Sequence, residues 1–145
     1  MEARTKTVEG WFAMIREGQL TLPRFQRFEA WRPSQIEGVL ENILRVPSLP
    51  IGALLVLEVG DKELFHSRPI SGAPGPKGLP QLNLLDGQQR MTALWRSLTD
   101  DYDEFTVFVR LQDENRPEIE TVKRFRSKTG ARMPLWADSP AECLA

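Results

Sequence analysis

The stretch Leu82-Asn83-Leu84-Leu85-Asp86-Gly87-Gln88-Gln89-Arg90-Met91-Thr92-Ala93-Leu94 decides the reading of this chain, because an apolar run meets a polar turn that opens into an amphipathic helix. The run reads as a strand that ends at a ligand. Asp86 suits the N-cap position, Gly87 permits a tight turn, and the amides of Gln88, Gln89 and Arg90 would be donors without intrahelical acceptors. Helix starts of this kind attract anions, phosphate above all. Arg90 adds a planar fork of donors, and the glutamine amides can hold a phosphate, a base edge or a water.

Met91, Leu94, Trp95 and Leu98 recur at helical spacing and give the helix one apolar face. At about 100° per residue, Gly87 falls on that face, Gln89 points away from it, and Gln88 and Arg90 lie on its flanks. Three polar side chains are therefore expected to be open to a ligand. The alternative is an ordinary helix cap with Arg90 on a solvated flank.

Working outward, the sequence has 145 residues, enough for one domain with a sizeable core, and is 41% hydrophobic and 27% charged. Nineteen basic against twenty acidic residues leave a net charge of -1, so any nucleic-acid contact must be local. The basic residues are mostly arginine, which suits planar, bidentate recognition. One cysteine, Cys143, excludes an internal disulfide or a cysteine cluster, and one histidine, His66, leaves little for a zinc site. No signal peptide and no apolar run of ~20 residues is present, so the expected location is cytoplasmic, with no membrane partner.

Thr7 can cap a first helix with Val8, Trp11, Phe12 and Ile15 inward, ending at Gly18. Gln19-Leu20-Thr21-Leu22 alternates like a short strand stopped by Pro23. The connector Pro23 to Trp31 holds three aromatics and two arginines without helical period. There Gln26 and Arg27 can reach a nucleotide or phosphate while Phe25 and Trp31 anchor the loop or stack on a base. The alternative is that the aromatics plug the core and Arg24 and Arg27 pair with acidic neighbours such as Glu29.

Pro33 opens a second helix with Ile36, Val39, Leu40, Ile43 and Leu44 inward, closed by Pro47 and Pro50. Ile51 to Val59 is nearly continuously apolar and is expected to be a central strand covered on both faces. Residues 60–80, crowded with proline and glycine, read as an exposed loop or hairpin extension, and His66 within it has no assigned chemistry. Glu104 to Leu111 reads as a strand. Pro117 is expected to open a helix with Ile119, Val122 and Phe125 inward, and with Lys123, Arg124, Arg126, Lys128 and Arg132 on or beyond its solvated face. Met133-Pro134-Leu135-Trp136 reads as a short buried extension. Neither a repeat nor a Walker-type loop, a His-Glu-x-x-His helix or a serine elbow occurs.

Pro23-Arg24-Phe25-Gln26-Arg27 with Trp31, a following helix, Pro50-Ile51-Gly52 in a strand, and Leu85-Asp86-Gly87-Gln88-Gln89-Arg90 before a helix together resemble the N-terminal domain of GmrSD-type modification-dependent restriction proteins. The resemblance covers roughly residues 5 to 110, and Asp-Gly-Gln-Gln-Arg is the family's hallmark. It implies an α/β (α+β) domain of ParB/sulfiredoxin-like fold, a small mixed sheet flanked by helices, in which Gly87 and Arg90 match a phosphate-holding Gly-x-x-Arg core. Sulfiredoxin chemistry is not implied, since glutamines replace the reactive cysteine.

By the same resemblance, Asp86, Gln88, Gln89 and Arg90 would form the hydrolysis motif, and Arg24, Gln26, Arg27, Gly87, Gln88, Arg90 and Thr92 would contact the nucleotide. The cofactor would be a nucleoside triphosphate, with GTP, CTP, UTP and ATP left open. Asp86 would cap inward or hold Mg2+ against the phosphates, and Gln88 or Gln89 would orient a water by analogy with GTPases.

The expected domains are 1–116, nucleotide-binding, and 117–145, an extension leading into a further region. The domain is then an NTP-hydrolysing regulator of a phage-defence restriction protein, with DNA, a downstream helical or nuclease region or partner subunit, and another copy of itself as expected partners. Nuclease activity is not expected in residues 1–145. The competing expectation is a DNA-binding or modification-sensing module without turnover, using Arg24, Arg27 and Arg32 on phosphates.

Overall fold

The computed structural model describes residues 2–111, 115–126 and 132–134, the side chains of 125, 126 and 132–134 excepted. The chain is a mixed α/β protein of two units: Met1–Ala30 with Gly52–Trp95, and Trp31–Ile51 with Arg96–Ala145.

In the first unit, α1 (Val8–Arg16) begins where Thr7 accepts a hydrogen bond from the Gly10 amide at 3.2 Å, as its cap role requires. Phe12, Met14 and Ile15 are its buried residues; Val8 is instead exposed, because it lies on the first, solvated turn. Strand β1 (Leu20–Pro23) is buried along its whole length. It pairs in parallel with β4 (Leu82–Asp86) and antiparallel with β3 (Ser67–Arg68), while β2 (Leu55–Glu58) pairs antiparallel with β4. The order is therefore β2-β4-β1-β3, a small mixed sheet.

Two expectations are corrected here. The Ile51–Val59 run is no central strand: only Leu55–Glu58 pairs, it lies at the sheet edge, and Leu55 is 42% exposed. Continuous apolarity does not by itself distinguish a strand covered on both faces from an edge strand. Conversely, the proline-rich 60–80 segment contributes β3 and the fully buried Ile70, so part of it belongs to the core. A hydroxyl–amide cluster ties β1, β3 and β4 together, with Thr21 Oγ1 and Ser67 Oγ both donating to Asn83 Oδ1 at 2.9 and 3.0 Å. Helix α3 (Gln88–Leu98) follows β4 directly, and its Trp95 meets Phe12 of α1 edge-on at 5.1 Å.

In the second unit, α2 (Pro33–Leu44) starts at Arg32, whose amide donates to Gln35 Oε1 at 3.0 Å. Ile36, Val39 and Leu40 are buried, whereas Ile43 and Leu44 are more open than expected, since they lie on the helix's last turn. Strands β5 (Phe105–Arg110), β6 (Glu118–Arg126) and β7 (Arg132–Pro134) form an antiparallel sheet in that order. Glu37 ties α2 to β6 by accepting from the Thr121 amide and hydroxyl at 2.9 and 2.6 Å.

The helix expected after Pro117 is thus a strand. Ile119, Thr121 and Val122 are β-branched, and burial alternates from Pro117 to Glu120, which is the period of a sheet. Arg124, expected on a solvated face, is half-buried and bonded to Asp100 and Thr106. Met133 and Pro134 fall in β7; their burial, with Lys128, Leu135 and Trp136, lies outside what is described. No helix among the described residues is long and apolar enough to cross a membrane.

Candidate functional site at the start of helix α3

Asp86 ends β4 and Gln88 opens α3, so the whole reversal between them falls on Gly87. Its φ is +90°, a left-handed conformation open to glycine, and a Cβ there would overlap Leu54 Cδ2. Gly87, not Asp86, takes the N-cap position, since its carbonyl accepts the first helical hydrogen bond, from the Met91 amide at 2.9 Å. The Gln88 and Gln89 amides precede that bond and have no acceptor within the helix.

Asp86 is free of the capping task. Its exposed carboxylate accepts from Arg90 Nη2 at 3.2 Å, four residues on. The Arg90 guanidinium also lies against the backbone of Gly52, where φ is +93° and a Cβ would overlap Nη1. Arg90 is therefore packed between two glycines, its side chain 20% exposed, more enclosed than a solvated flank residue.

The glutamines differ from the expected orientation. Gln88 is 8% exposed, since it lies one turn before the buried Met91 and Thr92, and its Nε2 donates to the Arg27 carbonyl at 2.9 Å. Gln89 accepts from the Ala30 amide at 3.0 Å through Oε1 and donates to the Phe28 carbonyl at 3.4 Å through Nε2. Burial continues unbroken from Met91 to Trp95, a wider face than the predicted stripe, while Leu98 at its end is 60% exposed.

The connector meets this turn from the other side. Gln26 Nε2 donates to the Leu84 and Leu85 carbonyls at 2.9 and 2.8 Å, which fixes residues 24–30 along the end of β4. Arg68 Nη2 donates to the Arg27 carbonyl at 3.1 Å and, more weakly, to that of Gln26 at 3.5 Å, and its guanidinium lies 4.7 Å from the Phe28 ring centroid. Burial, which strips water from the charged form, lowers the Arg68 pKa from the usual arginine value. The arginine stays protonated at neutral pH, as that side chain does in proteins generally.

All nine expected residues thus belong to one unit, and seven of them (Gln26, Arg27, Asp86, Gly87, Gln88, Gln89 and Arg90) are joined through the turn and the connector's backbone. Arg24 stands at the connector's edge, its amide bonded to the His66 carbonyl at 2.8 Å and its Nε reaching the Ser67 carbonyl at 3.4 Å. Thr92 is 1% exposed, on the buried side of α3. Gln26 Oε1 and Thr92 Oγ1 are buried oxygens with no hydrogen-bond partner among the described residues.

Arg68 and Gly52 are the participants that sequence pattern did not single out for a role. A two-residue strand is too short to show a period, and Arg68 is masked by the prolines around it.

Among the described residues no three His, Cys, Asp or Glu side chains group as metal ligands. A single exposed carboxylate such as Asp86 still fits a magnesium ion held chiefly by phosphate oxygens and water.

A glycine turn between strand and helix, an arginine one turn on, and a glutamine-held connector define a strand–turn–helix α/β domain. Residues 8–139 match the family described as GmrSD restriction endonuclease, N-terminal domain, and the chain belongs to that family. An uncharacterized protein of Methanocaldococcus jannaschii is 33% identical over 88 residues, covering 57% of this chain and 15% of its own length. The chain therefore spans only a small part of that relative. No solved structure matches it.

Proposed function

We propose that the domain binds a nucleoside triphosphate at the Asp86–Arg90 turn, in the cytoplasm, and that hydrolysis there regulates the restriction of modified DNA by the longer protein. One observation carries the reading: Gly87 at φ +90° starts α3 with main-chain amides unpaired within the helix, one turn from the Arg90 guanidinium. Such a start stabilises negative charge through its aligned N–H groups and dipole, and Arg90 adds a forked donor for phosphate oxygens.

The glutamine bonds refine the roles. Gln88 and Gln89 hold the connector's backbone, so they act as positioning residues that keep Gln26 beside the turn, while the Arg27 guanidinium points outward. Arg90 exchanges Asp86 for phosphate, and the released carboxylate is the group that would hold Mg2+, whose charge offsets that of the phosphates.

The test is phosphate release by the full-length protein with each triphosphate, with and without modified DNA. Release that needs one or more triphosphates and falls at least a hundredfold in Arg90→Lys supports the reading. DNA binding that weakens steeply with salt and is indifferent to every triphosphate favours the DNA-sensing alternative.

A further inference from the structure

Residues 24–30 hold their backbone to the protein and leave large side chains outside. The carbonyls of Gln26, Arg27 and Phe28 and the amide of Ala30 are bonded to Arg68, Gln88 and Gln89. Phe25 and Phe28 are nevertheless 68% and 76% exposed, and Leu64 beside Phe65 is open to the same degree as Phe25. Single exposed apolar residues are ordinary; two phenylalanines three residues apart on one connector form a feature.

Both rings are supported from within the unit. Phe65 meets Phe25 edge-on at 5.1 Å and 80°, and the Arg68 guanidinium lies over Phe28. Arg24 and Arg27, both exposed, alternate with the rings along the chain, and the acidic residue of the segment, Glu29, is half-buried.

We propose that Phe25 and Phe28 form a stacking platform for unpaired bases of a nucleic-acid strand, with Arg24 and Arg27 on its phosphates. Ring faces accept any base, and guanidiniums between them meet the backbone that joins successive bases. A mononucleotide supplies one base for two rings, whereas a strand repeats base and phosphate as this connector repeats ring and guanidinium. With a net charge of -1 over the chain, stacking contributes more than long-range attraction, so salt dependence should be shallow. The platform is distinct from the turn and does not depend on nucleotide hydrolysis.

The test uses the full-length protein and a labelled single-stranded oligothymidine, read by fluorescence anisotropy, with a duplex of equal length alongside. The expected result is a loss of about tenfold or more in single-strand affinity for Phe25→Ala with Phe28→Ala. The tryptophan pair should retain affinity, and the leucine pair should lose it, since leucine offers apolar area without a π face. Triphosphate affinity, measured by calorimetry, should stay unchanged in all three, which separates this proposal from the nucleotide reading. Absence of oligothymidine binding by the unmodified protein, full binding by the alanine or leucine pair, or an altered elution volume that assigns the rings to an internal interface would each overturn it.

Discussion

The helix start at residues 86–90 and the connector at residues 24–30 divide labour in opposite ways. At the helix start the polar side chains are engaged with the protein itself, Gln88 and Gln89 with the connector and Arg90 with Asp86, while main-chain amides remain without helical acceptors. Along the connector it is the backbone that is engaged, through Gln26, Arg27, Phe28 and Ala30, while Arg24, Phe25, Arg27 and Phe28 project outward. A polar motif can therefore serve a ligand with its backbone and its own fold with its side chains. The residue types alone do not say which.

The largest effect that would break this picture comes from Gly87→Val. A β-branched side chain at φ +90° is strained, and its Cβ overlaps Leu54, so a loss of about 3 kcal/mol or more is expected in urea unfolding. Stability within 0.5 kcal/mol of the unmodified protein, on the order of experimental error for additive surface changes, would mean the turn does not have this geometry.

Next comes Gln88. Replacing it with alanine should cost about 1–2 kcal/mol, since a buried amide and its bond to the Arg27 carbonyl are lost. Gln88→Glu should cost more, because a carboxylate oxygen would then face that carbonyl in a buried position. A glutamate variant as stable as the glutamine protein at neutral pH would show that residue 88 lies on an open flank of the helix, where the helical wheel alone puts it.

Smaller still is Arg68→Ala, expected to cost about 1 kcal/mol, from its bonds to the connector carbonyls. Its clearer signature is faster hydrogen exchange across residues 24–30, with no change in β1. Arg27→Ala should be the mildest, within about 0.5 kcal/mol, since its exposed guanidinium has no bond to the described residues and only its carbonyl is held.

Sequence pattern captured the elements whose period is long enough to count. Thr7 and Pro33 mark the starts of α1 and α2, and the β4–turn–α3 reversal falls where glycine interrupts apolar runs. It failed where tertiary pairing overrides local preference. Leu55–Glu58 is apolar but lies at an edge, and Glu118–Arg126 carries helix-compatible charges yet pairs with both of its neighbours. Ser67–Arg68 became a strand only because β1 offers it an edge. The turn itself was legible from Gly87; the destination of the glutamine side chains was not, because their partners are backbone groups about sixty residues away in the chain.

The most direct test of the central claim is hydrogen exchange in the full-length protein across residues 86–91, with and without each triphosphate at saturation. If the opening amides of α3 hold phosphate, exchange there slows markedly with at least one triphosphate while β6 is unaffected. A triphosphate that is bound and hydrolysed while residues 86–91 exchange at an unchanged rate would contradict the account.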